Sequence, residues 1–151
     1  MYAQKRAPAD RAQAASSTPI RAPAAGSLMA LLLILALALL LRALGLGQQS
    51  LWYDEGVSAY LTTLPLPELT DWTAGDIQPP LYYYLLWGWA RLFGHSEVAL
   101  RALSLFFSVL TVPLAWVAGR RLFSARAGIL AGLIFATSPL YIWYAQEARN
   151  Y

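Results

Sequence analysis

The sequence predicts an all-α, polytopic membrane protein with three transmembrane helices and a long outer loop carrying surface helices. Three observations lead there. The 151-residue chain is 58% hydrophobic and only 13% charged, far more apolar than a soluble domain of its length. Its apolar residues gather in runs that approach the roughly 20 residues needed to cross a hydrocarbon core. Its basic residues gather in an N-terminal tail and in one short link near residue 120, the pattern that orients membrane helices.

Residues 1–27 are rich in Ala, Pro, Ser and Arg without apolar periodicity, and too little surface can be buried there to offset ordering entropy. They read as a disordered basic tail. From Leu28 to Leu41 every residue is Leu, Ala, Ile or Met, and with Arg42 snorkelling to the interface the first span runs over about 28–46. A cleaved signal peptide is the alternative, but its charged leader would be long and no A-x-A site follows.

The outer loop, 47–96, is acidic at first, with Asp54, Glu55, Glu68, Asp71 and Asp76. Pro65 and Pro67 break any continuous helix there, leaving a short surface helix over 54–63. Residues 79–93 form a second one, rich in Tyr and Trp. At helical rise they reach roughly 22 Å, short of the roughly 30 Å core. Segments 97–119 and 127–145 are both apolar spans, joined by a basic turn, 120–126, that holds Arg120, Arg121 and Arg126.

Parity then fixes the topology. Basic links stay in the cytoplasm, so with the tail also inside, an even number of crossings separates the two basic segments and 79–93 does not cross. The expected protein is multi-pass in the cell inner (plasma) membrane, with its N-terminus cytoplasmic and residues 47–96 and 146–151 outside. With no cysteine and one histidine, His95, thiolate nucleophiles, disulfides and Cys/His zinc sites are excluded within the chain. The charge pattern offers nothing for nucleic acid.

Three islands, LWYDEGVSAY after the first span, DIQPPLYYYLLWGWARLFGHSEVALRALS in the middle and SPLYIWYAQEARNY at the end, resemble the N-terminal part of bacterial glycosyltransferases of the protein O-mannosyltransferase and lipid A aminoarabinose transferase type, which have the multi-span GT-C fold. The resemblance implies sugar transfer, hexosyl or pentosyl, from a polyprenyl-phosphate donor to a protein or glycolipid acceptor. It also implies an Asp base in the first outer loop, which here is Asp54. Where the family commonly has His before Pro-Pro-Leu-Tyr-Tyr, this chain has Gln78 ahead of Pro79, Pro80, Leu81, Tyr82 and Tyr83. An amide there removes a titratable imidazole and leaves only hydrogen bonding. Asn150 replaces the family's Met in the last island. These enzymes usually continue through more spans, so the chain is expected to be an N-terminal fragment. Three spans supply one wall of a lipid groove and are not expected to close a cavity of a few hundred Å³, so the chain alone is expected to be inactive.

The residues themselves support such chemistry. A transferase outside the cell has no nucleotide-sugar pool, so its donor must be anchored in membrane lipid. Inverting transfer then needs a base for the acceptor proton and a cation for the departing phosphate. Asp54, partly desolvated among aromatic rings, suits the first role, with Glu55 as a supporting charge. Arg149 and Arg101, both at the outer ends of spans, suit the second. Glu147 is a second carboxylate, Asp76 and Gln78 precede the surface helix, and Tyr82 and Tyr83 are placed to line a sugar or prenyl groove. Two carboxylates from separate loops can hold a hard divalent cation, and whether a metal takes part stays open at this level. Each residue also has a plainer role: helix capping or dipole compensation for Asp54 and Glu55, headgroup contact for the arginines, an interfacial belt for the aromatics. A non-catalytic membrane scaffold is accordingly the rival reading.

Overall fold

The computed structural model describes residues 25–76 and 78–149; of the basic tail expected at 1–27, residues 1–24 lie outside them, as do the last two residues, and 25–27 begin the first helix. Among the described residues the chain forms seven helices and no strand: α1 (Ala25–Ala43), α2 (Tyr53–Thr63), α3 (Leu66–Ala74), α4 (Pro80–Phe93), α5 (Glu97–Leu122), α6 (Ala125–Thr137) and α7 (Pro139–Ala145).

α1 and α5 are long and apolar enough to cross a membrane, and α6 with α7 makes a third such unit only if its 52° bend is counted within one span. The expected span over 127–145 is therefore broken. Its break falls at Ser138–Pro139, because proline has no N–H for the carbonyl of residue 135 and its ring crowds the preceding turn. The loop expected over 47–96 differs too. The residues after Pro65 form α3 rather than irregular chain, since Pro67 sits within the helix's first turn, where its missing N–H is an orphan anyway.

α1, α5 and α6 pack together into a three-helix body around Ile34, Ala38, Val112 and Ala136. α5 and α6 start on Ser96 and Ser124, whose side chains accept hydrogen bonds from Ala99 N–H and Ala127 N–H, the usual satisfaction of a helix's first amides. The turn between them brings backbones very close. A Cβ on Gly128 would lie 2.7 Å from the Trp116 carbonyl oxygen, and one on Gly119 would lie 2.9 Å from that of Ala127. Small residues at such a crossing are what membrane helices use to approach.

Arg42 departs from its expected place among the headgroups. It is fully buried. Its Nε donates to Ser108 Oγ at 2.8 Å, its Nη1 to the carbonyls of Ala38 and Ala136, and its Nη2 to Phe135 O at 2.9 Å. The Phe135 carbonyl is the one Pro139 cannot serve. A guanidinium from α1 thus replaces the hydrogen bond missing at the α6–α7 break.

α4, 14 residues and about 21 Å long, lies against the start of α5 through Leu86, Ala90, Leu100 and Leu103. Its indoles are not simply an interfacial belt: Trp87 donates to Leu64 O at 2.9 Å and Trp89 to Ala99 O at 2.8 Å, pinning α4 to the loop after α2 and to α5. α2 and α3 pack on α4 in turn, around Leu61, Leu69 and Tyr83.

Candidate active site

The stretch Trp52–Glu55 sends its two carboxylates in different directions. α2 begins at Tyr53, and its cap residue, Trp52, makes no side-chain cap bond. Asp54 therefore does not cap the helix. Its carboxylate pairs instead with the Arg149 guanidinium, 95 residues away, through a short Nη1–Oδ2 contact. The pair is part-exposed, with side chains 33% and 21% accessible, and the Arg149 cation lies 5.7 Å from the Trp52 ring centre.

Glu55 points inward and is fully buried. Arg101 meets it side on, Nε to Oε1 at 2.8 Å and Nη2 to Oε2 at 2.6 Å. Arg101 also donates to the carbonyls of Leu46, Gln49 and Ser50. All five guanidinium N–H groups are thus engaged within the protein, and the expected role of Arg101 as a phosphate ligand has no donor left to serve it. Oε1 of Glu55 further accepts the Ala148 N–H at 2.8 Å. Burial opposes ionisation of Glu55, but the Arg101 hydrogen bonds, the Ala148 and Trp52 amides and the Arg101 charge outweigh it and hold the carboxyl below its ordinary value. Reaching back to the N–H of the cap residue from the third helical position is half of a capping box. Glu55 is thus the bolt that joins α2, α5 and the segment 146–149, and it fixes where Asp54 and Arg149 meet.

The residues before α4 join the same place. Gln78 Oε1 accepts the Tyr83 hydroxyl at 2.6 Å. Burial pushes the Tyr83 phenol up, the charges of Asp76 and Asp54 add to this, and Arg149 opposes it, so one buried ring feels all three charged groups. Tyr82 turns to α5, its hydroxyl 3.1 Å from Ser104 Oγ. The structure therefore joins Asp54 to Arg149 and Gln78 to Tyr83, and gives Glu55 and Arg101 to the scaffold. Glu147 faces the other way, into a separate pocket.

A groove of about 540 Å³ runs from Arg149 between α4, α5 and α7, with Leu81, Leu85 and Phe107 among its apolar walls. A second, more polar pocket of about 510 Å³ lies beside the end of α1. Both are open to the surface, and neither is the closed cavity that three spans were not expected to form. The bend at Pro139 and the short helices α2 and α4, neither of which hydropathy weighs, help to wall them. Among the described residues no three of His, Cys, Asp or Glu gather at one point; Asp54 is paired with Arg149 and Glu147 lines the other pocket. Arg42 and Gln146 were missed as structural residues. Gln146 Nε2 donates to the carbonyls of Arg42 and Leu44, tying the site segment to α1, and no local pattern marks either contact.

Fold and site together define an all-helical membrane protein with an acid–base pair at the head of an apolar groove. Residues 77–150, just under half of the chain, match the protein family described as dolichyl-phosphate-mannose-protein mannosyltransferase. The match supports a membrane glycosyltransferase of mannosyltransferase-like type, and it spans α4 to Arg149 while leaving Asp54 and Glu55 outside. No curated protein and no solved structure matches the chain.

Proposed function

We propose that this chain carries the donor-side half of a glycosyl transfer on the outer face of the cell membrane, from a polyprenyl-phosphate sugar to an acceptor hydroxyl or amine, with inversion. The observation that carries it is the Asp54–Arg149 pair at the head of a groove whose walls are apolar. The groove suits a polyprenyl chain, with the phosphate at Arg149 and the sugar at Asp54. Asp54 takes the acceptor proton as the acceptor oxygen or nitrogen bonds to the anomeric carbon. The bond from that carbon to the phosphate oxygen breaks, and its electron pair leaves on the lipid phosphate. Arg149 stabilises the charge that develops there, at a position where a guanidinium forks onto phosphate oxygens. Asp76, Gln78 and Tyr83 surround the sugar position and would select it.

The test is sugar transfer from radiolabelled polyprenyl-phosphate donor in membranes from cells expressing the full-length protein rather than the isolated 151-residue chain. Asp54→Asn keeps the size of the side chain and a hydrogen bond to Arg149 but cannot take a proton, and it is expected to lower transfer by about 10²- to 10⁴-fold at equal protein level. Donor binding should stay near normal. Near-normal transfer by Asp54→Asn would return the acidic stretch to a scaffold role.

A further inference from the structure

The turn between α5 and α6 has no part in the transfer just described, and it gathers Arg120, Arg121 and Arg126 within seven positions of the chain. Arg120 lies over the Trp116 ring, 5.2 Å from its centre. The backbones of the two helices come so close at Gly119 and Gly128 that no further side chain fits between them. Arg121 and Arg126 accordingly stay outside, exposed, and neither has a hydrogen-bond or ion-pair partner among the described residues. Between them in sequence, Leu122 and Phe123 are 74% and 80% accessible.

The counter-charge for these cations is not in the helices they join. Residues 98–146 contain no Asp or Glu, and the N-terminal tail is itself basic. The nearest carboxylates belong to the other end of α5: Glu97 starts that helix, and Glu55 is locked to Arg101 and to the amide of Ala148, next to Glu147. Along the axis Glu97 stands about 35 Å from the turn, several times the screening length of roughly 8 Å at physiological salt. Length also sets the depth of the turn. The 26 residues of α5 reach about 39 Å, more than the roughly 30 Å hydrocarbon core and less than the roughly 40–45 Å that includes both headgroup layers. With its acidic end in one such layer, its basic end lies in the other.

We infer that the α5–α6 turn is a binding site for an anionic glycerophospholipid, with Arg121 and Arg126 on the headgroup phosphate and Leu122 and Phe123 at the head of its acyl chains. A guanidinium forks onto phosphate oxygens, and apolar side chains beside cations are what seats a segment in the interface. A zwitterionic lipid answers its phosphate with its own ammonium, so it offers the arginines less. A soluble acidic protein would leave Leu122 and Phe123 uncovered, and a second copy inserted in the same sense brings the same cations. The inference requires no catalytic role for Asp54 or Arg149 and no particular orientation of the chain across the membrane.

The experiment is lipid-selective fluorescence quenching on the full-length protein, freed of any other cysteine, in phosphatidylcholine nanodiscs. A bimane on Ala125→Cys, beside the turn, meets a small fraction of phosphatidylglycerol or phosphatidylcholine spin-labelled near the head of one acyl chain. Phosphatidylglycerol should be enriched at the probe about fivefold for each of the two arginines, about 25-fold in all, as a cation near an anionic surface implies. Arg121→Gln and Arg126→Gln should each remove about fivefold, and the double variant most of the preference. Both change exposed side chains without partners, so yield and helix content should match the wild type. Salt at 1 M, where screening acts within about 3 Å, should weaken the preference, and Phe123→Ser should weaken quenching by both lipids alike. A bimane on Ser96→Cys, beside Glu97, should report no enrichment. Equal quenching by the two lipids at position 125, the same enrichment at 96 as at 125, a preference that survives the double variant, or displacement of the lipid by soluble polyglutamate would overturn the inference.

Discussion

Glu55 and Arg101 show how a residue can serve a site without touching what reacts there. Both are buried, both ends of each charge are matched, and removal of one partner would leave the other charged and unanswered. Glu55→Ala is therefore expected to lower stability by about 3–5 kcal/mol, read from denaturant titration in detergent, whereas Asp54→Asn, at a part-exposed pair, should shift it far less. Equal curves for wild type and Glu55→Ala would contradict the buried pair. The same carboxyl carries a pH dependence of known sign. Its folded-state value lies below the ordinary 4.5, so its contribution is complete above that value and is lost as pH falls through the folded-state value. Glu55→Ala should flatten that acid limb. The sequence marks Glu55 as a charge supporting Asp54, but its partner lies 46 residues away, and no periodicity or spacing chooses Arg101 over Arg149 for it.

At the scale of helices, the break between α6 and α7 positions the site, since α7 delivers segment 146–149 to α2. Arg42 holds that break. Arg42→Leu leaves the Phe135 and Ala136 carbonyls without donors and is expected to cost about 2–6 kcal/mol, at roughly 1–3 for each buried unsatisfied group. Pro139→Ala supplies an N–H for Phe135 O, so in the Arg42→Leu background it should recover part of that loss. Strictly additive losses in this double-mutant cycle would show that the guanidinium does not stand in for the missing bond. The break was legible in principle: Pro139 is in the sequence, and the rule that divides the chain at Pro65 applies there too. Hydropathy hid it, because the run 127–145 stays apolar across the bend. The reverse holds for α3, where two prolines argue against a helix that starts on them. Element existence followed from apolar runs, and the interruptions followed from proline chemistry that depends on position within a turn.

Across the whole molecule, the arrangement of crossings can be tested directly because the chain contains no cysteine. Single cysteines at Ser50, Ser96 and Ser124 should react with an impermeant maleimide in intact cells at the first two positions and not at the third. Ser96 and Ser124 cap helices, and losing a cap costs about 1 kcal/mol, too little to unfold the protein. Labelling at 124 without 96 would reverse the orientation, and labelling at 50 without 96 would make α4 a crossing. The first and last of the three sequence islands meet: Asp54 and Arg149 come from separate segments and pair because α2 packs on α4 and both α4 and α7 pack on α5. Which charge pairs with which was beyond the sequence, since it depends on how deep each helix sits.

The depth of α1 has a consequence in time. Arg42 ends on carbonyls 93 and 94 residues further along the chain, which at the usual pace of synthesis are made about 5–20 s later. Until Ser108 is made, 66 residues on, its guanidinium has one final partner, the carbonyl of Ala38 within its own helix, and water and headgroups must supply the rest. The first helix therefore waits with its Arg42 end at the membrane surface, and it reaches its final seat only when α6 arrives to receive the charge.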